Sequence, residues 1–360
     1  MADHPVISAI KRALKDVQVP DGSALADYAG LSDIILTPSA IAFAIAVEPG
    51  MEGAFGPVQV AATKAAETCA EGRKVLVSIT ADRAPGNSGA NSIGAGAGKK
   101  APNQASPVKG IKKIIAIASG KGGVGKSTST VNIALGLKNL GLKVGVLDAD
   151  LYGPSIPKLL GIEGKPAFRD DKLFKPFEAY GLKAMSIGPM LEGDQAVVWR
   201  GPMASSALRQ LLRETDWGDL DVLVMDLPPG TGDIQISLCQ TVEFSGVIIV
   251  STPQDLALID AKKAMDMFTR LNIPVLGMVE NMSYFIAPDT GKRYDIFGHG
   301  GAQDTAKKMD LDFLGEVPLH MSIRQQSDAG VPVCVDQPES DEAKSFGRIA
   351  DKIAKNLDLI

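Results

Sequence analysis

The chain has 360 residues. At the roughly 100–200 residues of a typical domain this predicts about two domains and rules out a peptide or a disulfide mini-scaffold. It is 45% hydrophobic and 22% charged, with 5% aromatics and 38 glycines, a profile that suits an α/β protein with tight glycine turns. Its net charge of −5 supplies no overall basic field, so neither nucleic acid nor an anionic membrane is expected as a partner.

The N-terminal run MADHPVISAIKRALKD intersperses charges with apolar residues and lacks the basic-then-apolar order of a signal peptide. The longest uncharged apolar stretch, Ile34 to Val47, contains Pro38 and falls short of the roughly 18–20 residues that span a bilayer. Cys69, Cys239 and Cys334 are odd in number and far apart, which fits a reducing compartment; a cytoplasmic location is expected.

In chain order, Ile7, Ile10 and Leu14 recur at helical spacing, Ser32–Leu36 and Ile41–Val47 read as strands, Phe55–Ala70 as a helix and Lys74–Ile79 as a last strand. This α-β-β-α-β order predicts a small α+β module over residues 1–82. Residues 83–110 are rich in Gly, Ala, Ser, Asn and Pro, with Ile93 and Val108 their only large apolar side chains, and are expected to form a flexible linker. Residues 111–360 then alternate strands with helices. The apolar runs are Ile114–Ala118, Val144–Leu147, Leu182–Ile187, Val222–Met225, Val247–Val250, Val275–Val279 and Phe313–Leu314. Helices fit at Ser127–Leu140, Met203–Arg213, Ile234–Val242, Leu256–Leu271, Gly301–Met309 and Asp341–Asn356. Continuous apolar strands are buried on both faces, so the expectation is an α/β fold with a doubly wound, mostly parallel sheet.

Directly after the first of these strands, Gly120-Lys121-Gly122-Gly123-Val124-Gly125-Lys126-Ser127-Thr128 satisfies G-x-x-x-x-G-K-[ST] in its required strand-to-helix setting. Glycines let successive N–H groups curl around phosphates, and the following helix N-terminus adds its dipole. Lys126 is expected at the β/γ-phosphates and Ser127 on Mg²⁺. Gly120, Gly122 and Gly125, with Asp148 further on, also satisfy a dinucleotide fingerprint. Lys126-Ser127 has no role there, however, and the DLPPGTGD run supplies a second nucleotide motif. It offers Asp226 as a metal-water ligand and Gly230 as a γ-phosphate sensor, so an NTPase is the reading kept.

With Lys121 inside the loop, KGGVGKST resembles the deviant Walker A ATPases of the MinD, ParA and nitrogenase-iron-protein group. The resemblance implies a nucleotide-sandwich homodimer in which Lys121 reaches nucleotide across the interface. It also implies that Asp148 supports Mg²⁺ while Asp150 orients the attacking water. Further strings narrow the resemblance to Mrp/ApbC-type iron–sulfur carrier ATPases: DADLYGPSIPKLLG (Asp148–Gly161), WRGPM (Trp199–Met203), ENMSYF (Glu280–Phe285), FGHGG (Phe297–Gly301) and LGEVPL (Leu314–Leu319). They cover essentially all of residues 111–360, and the small module resembles the assembly domain that precedes the ATPase in many members. What this implies is ATP hydrolysis with Mg²⁺, catalysed through Lys121, Lys126 and Asp150, adenine recognition by Asn281, and transfer of iron–sulfur clusters to apoprotein clients.

One departure stands against these matches. In this family a C-x-x-C pair follows the NMSYF-like segment, and two pairs from a dimer hold one bridging cluster. Here Ala287 and Thr290 occupy those positions, and neither is a thiolate. The cluster ligands are therefore left unassigned. Two other readings stay open: a MinD/ParA-like positioning switch, which would need the C-terminal segment as a membrane-binding amphipathic helix where capping the core is the preferred reading, and a scaffold that uses ATP to dimerise without holding a cluster.

Overall fold

The computed structural model describes residues 5–36, 40–47, 51–81, 107–169, 173–190 and 201–360. Of the expected linker, residues 83–106 lie outside these, as do Trp199 and Arg200 of WRGPM. Contacts divide the chain into two units, Met1–Lys100 and Ala101–Ile360.

In the first unit the order is α1 (Pro5–Ala13), β1 (Ile35–Leu36), β2 (Ala40–Val47), α2 (Glu52–Glu67) and β3 (Lys74–Ala81). β2 pairs in parallel with β3 and antiparallel with β1. Ile10 and Leu14 bury with Ile41, Phe43 and Ile45 in one core, as the helical spacing of the apolar residues predicts. The first expected strand shrinks to two residues: Ile35 and Leu36 pair with β2, while Ser32 bonds to Ala44 outside that ladder.

The second unit runs β4 (Ile111–Ala118), α3 (Lys126–Asn139), β5 (Val144–Asp148), α4 (Ile156–Leu159), β6 (Phe177–Ala179), β7 (Leu182–Met185), α5 (Gly201–Arg213), β8 (Leu220–Asp226), α6 (Asp233–Thr241), β9 (Gly246–Ser251), α7 (Asp255–Arg270), β10 (Val275–Ile286), β11 (Arg293–Tyr294), α8 (Gly301–Lys308), β12 (Phe313–Leu319), α9 (Met321–Ala329), α10 (Val333–Asp336) and α11 (Asp341–Asn356). Among the described residues these strands form one sheet in the order β11-β10-β9-β4-β8-β5-β7-β6, with β12 against β10. All ladders are parallel except β6 with β7 and β10 with β11.

Along β4, Ile115 and Ile117 enter one core while Ile114, Ala116 and Ala118 enter the other. A strand buried on both faces needs apolar residues throughout, which is why Ile114–Ala118 of β4 reads as an unbroken run, while Lys112 and Lys113 fall at its less buried start. α11 turns Phe346, Ile349 and Ile353 into the same core as Ile133 and Leu137 of α3. Its apolar face is thus occupied by the fold. No helix among the described residues is long and apolar enough to cross a membrane.

Several elements differ from expectation: β7 ends at Met185, β12 runs on to Leu319, and β6, β11, α4, α9 and α10 are additional. β10 continues through Ile286, beyond the expected end at Val279, because β12 and β11 give its second half partners. Cys334 sits in the short helix α10, where its backbone N–H is held by Asn132 Oδ1 at 3.2 Å.

Candidate functional site

β4 lies at the centre of the sheet, with the chain winding away from it on both sides, so the loop after β4 sits at the topological switch point. At this carboxyl edge β5 ends in Asp148 and β8 in Asp226, and the two residues are register partners on adjacent parallel strands. Their carboxylates are thereby placed side by side next to the loop.

The glycines are fixed by sterics. A Cβ on Gly120 would lie 2.1 Å from the Asp260 carbonyl carbon of α7. Gly125 has φ +81°, and a Cβ there would lie 2.1 Å from Asn281 Nδ2. Gly122 and Gly123, in contrast, face open space where a phosphate can approach.

Lys126, the first residue of α3, is buried with its Nζ 2.8 Å from Asp226 Oδ1 and 4.0 Å from Asp150 Oδ2. Ser127 Oγ donates to Asp226 Oδ2 at 2.5 Å. Thr130 Oγ1 donates to Asp226 Oδ1 at 2.7 Å. Asp148 accepts from the Ile156 and Asp150 N–H groups and from Ser186 Oγ. Two carboxylates thus face one ammonium, with Asp148 beside Asp226 on the neighbouring strand, and the donors are hard oxygens. That set fits Mg²⁺, with Ser127, Asp148 and Asp226 as the residues that would hold it directly or through water.

The crowding shows in acidity. Burial first, and the adjacent Asp226 charge second, push the Asp148 carboxyl up to about 8. Between about pH 4 and 8 the folded chain therefore keeps a proton that the unfolded chain has lost, so stability falls as pH rises across that window. D148N removes this dependence. In thermal melts of nucleotide-free protein, the drop in Tm from pH 5 to pH 8.5 should be smaller for D148N than for the native chain; equal drops would contradict the assignment. Burial also raises Asp150, making it a better proton acceptor than an exposed carboxylate.

The remaining expected site residues fall around the same loop. Lys121 is partly exposed, and its carbonyl accepts from Ser119 Oγ. Gly230, at φ +90°, donates its N–H to the Ser119 carbonyl at 2.9 Å, a bond that a phosphate contact would have to replace. Asn281 lies within β10 and donates to the Val124 carbonyl at 2.8 Å, bracing the loop. Sequence reading missed Thr130 and Ser186. Thr130 lies four residues beyond Lys126 on one helix face, a spacing that could have exposed it.

Ala287 and Thr290 bracket a tight turn after β10, in which Gly291 N–H donates to the Ala287 carbonyl at 2.8 Å. Cys239 and Cys334 are buried, and burial pushes both thiols up to about 12. Cys69 is partly exposed.

Residues 110–354 match the family model described as NUBPL iron-transfer P-loop NTPase. The chain belongs to that family. It is 51% identical over 255 residues to the iron-sulfur cluster transfer protein NUBPL of Dictyostelium discoideum, covering 70% of this chain and 79% of that one. To the iron-sulfur cluster carrier protein of Salmonella typhimurium it is 52% identical over 260 residues, covering 72% and 70%. Among solved structures, a nucleotide-binding protein in complex with ADP from Archaeoglobus fulgidus superposes with a TM-score of 0.57 at 40% identity, covering 66% of this chain and 92% of that one. The matched residues 110–354 include the loop between β4 and α3 and the residues Asp148, Asp150 and Asp226.

Proposed function

We propose that this NUBPL-family chain hydrolyses ATP as a homodimer and uses the cycle to carry iron–sulfur clusters to apoproteins. The observation that carries this reading is the buried Lys126 ammonium held between Asp226 and Asp150 beside Ser127, in a chain half identical to proteins named as cluster carriers. The N–H groups of Gly120–Thr128 and the α3 N-terminus receive the phosphates, and Lys126 exchanges its carboxylate partners for phosphate oxygens. Mg²⁺, when bound, neutralises charge on the phosphates. Asp150 accepts a proton from the attacking water, Lys121 reaches the partner's nucleotide, and Asn281 fixes the loop against the adenine side. We place the residues 1–82 module as a tethered accessory domain, and the protein in the cytoplasm with its three cysteines free.

K121A tests the sandwich. It should lower ATP-dependent dimerisation in analytical ultracentrifugation at least tenfold while nucleotide binding by the monomer persists. Native-like dimerisation would overturn the model.

The turn at residues 287–291 favours a second reading. Without sulfur at positions 287 and 290, the protein would close on ATP as a scaffold while a partner supplies the cluster ligands.

A further inference from the structure

A second cluster of ligating groups lies in three strings that the nucleotide reading leaves unused: Glu280 of ENMSYF, His299 of FGHGG and Glu316 of LGEVPL. Glu280 on β10 and Glu316 on β12 are register partners on adjacent parallel strands, so their side chains leave the sheet on the same face. Like charges placed side by side in a sheet repel and need a positive charge between them. Among the described residues, the sole group within ion-pair distance of either carboxylate is His299, whose Nδ1 is 3.9 Å from Glu280 Oε1 and 3.6 Å from Glu316 Oε2. Their ligand atoms all lie within 4.8 Å of one another.

The hydrogen-bond count points the same way. Ser283 Oγ sits among all three, 2.6 Å from Glu280 Oε1, 3.1 Å from Glu316 Oε2 and 3.2 Å from His299 Nδ1. A hydroxyl has one proton to donate, so it can satisfy only one of these acceptors. Glu280 is fully buried and already oriented, with the Gly300 N–H donating to Oε1 at 3.0 Å and the Ala302 N–H to Oε2 at 2.7 Å. Such outer bonds fix a metal-ligating carboxylate in place. His299 and Glu316 are partly exposed, which leaves an entry path from solvent. Arg293 donates to His299 Nδ1 at 2.8 Å and competes for this position. It has other partners to keep, Asp295 at 3.0 Å and the Tyr284 ring at 4.0 Å.

We propose that Glu280, His299 and Glu316 bind one first-row divalent cation, with Ser283 beside it and Arg293 displaced from the imidazole. Ligand atoms on a tetrahedral ion with bonds of about 2.1 Å stand about 3.4 Å apart, so the imidazole needs to move a few tenths of an ångström toward each carboxylate from 3.9 and 3.6 Å, and the whole set has to draw in from within 4.8 Å. One imidazole with two carboxylates suits Fe²⁺, Mn²⁺, Co²⁺ or Zn²⁺ rather than a thiolate-held cluster. The site is distinct from the nucleotide loop and independent of the transfer reading.

The test is titration of the full chain, stripped with chelator and free of nucleotide, with CoCl₂, read by calorimetry and visible absorption. One Co²⁺ per chain is expected, with weak ligand-field bands and no intense thiolate-to-cobalt absorption. H299A and E316Q should each weaken binding at least tenfold with unchanged circular dichroism; Glu280, which caps α8, is left intact so that the fold is not at stake. No binding by the native chain, a thiolate spectrum, or native affinity in either variant overturns the proposal.

Discussion

K126A should abolish nucleotide retention, with ATP affinity falling about a hundredfold or more in calorimetry. A hydrogen bond to a charged group is worth roughly 1.5–3 kcal/mol, each 1.4 kcal/mol is tenfold in affinity, and one ammonium serves more than one phosphate oxygen. The variant loses more than a phosphate contact. Lys126 is the cation that faces Asp226 at 2.8 Å and Asp150 at 4.0 Å, so its removal leaves the carboxylates of Asp148, Asp150 and Asp226 without a counter-charge. The protein should therefore melt lower than the native chain, and more so at pH 8 than at pH 6, where Asp148 still holds its proton. Native ATP affinity in K126A would remove the basis for placing nucleotide at this loop.

The second large effect is a gain. A287C/T290C should add about one iron–sulfur cluster per dimer after anaerobic reconstitution, read as iron and acid-labile sulfide in the dimer fraction. Backbone bonds that the substitutions leave in place close the turn that would present the two thiolates: the Ala287 N–H donates to the Lys292 carbonyl at 2.9 Å, and the Gly291 N–H to the Ala287 carbonyl at 2.8 Å. Gly291 takes φ +65° to close it. At the positions where the resemblance implies soft sulfur, the chain carries a methyl and a hydroxyl. An iron content equal to that of the native chain would mean that this turn does not face its counterpart in the dimer.

How much of this was legible depended on whether the information was contiguous. The loop at Gly120–Thr128 could be read directly because the strand, the glycines, the lysine and the helix start follow one another in sequence. The central strands could be read because burial on both faces leaves no polar alternation to confuse them. Asp148 and Asp226 each marked a strand end, but their side-by-side register depends on β5 and β8 being neighbours, which only the fold decides. The same holds for Glu280 and Glu316, brought together by β12 adding to β10. Asn281 stands beyond the expected end of its strand; β10 is long enough to include it because β11 and β12 extend the pairing. The C-terminal segment reads as an amphipathic helix that caps the core in preference to a membrane-binding one, and the burial of Phe346, Ile349 and Ile353 assigns its apolar face to the core.

The central claim is the proposal that this chain is an ATP-driven cluster carrier although Ala287 and Thr290 stand where the resemblance to the iron–sulfur carriers implies thiolates. The most direct measurement is anaerobic reconstitution of the native chain with iron and sulfide in the presence of Mg-ATP. Gel filtration and metal analysis of the dimer peak would follow, beside a variant with Cys69, Cys239 and Cys334 all changed to Ala. The expected result is a cluster in the native dimer, and its loss in the triple variant would place ligands on cysteines outside the 287–290 turn. A native dimer that forms with ATP yet holds no iron or sulfide would contradict the carrier reading and leave the scaffold in its place.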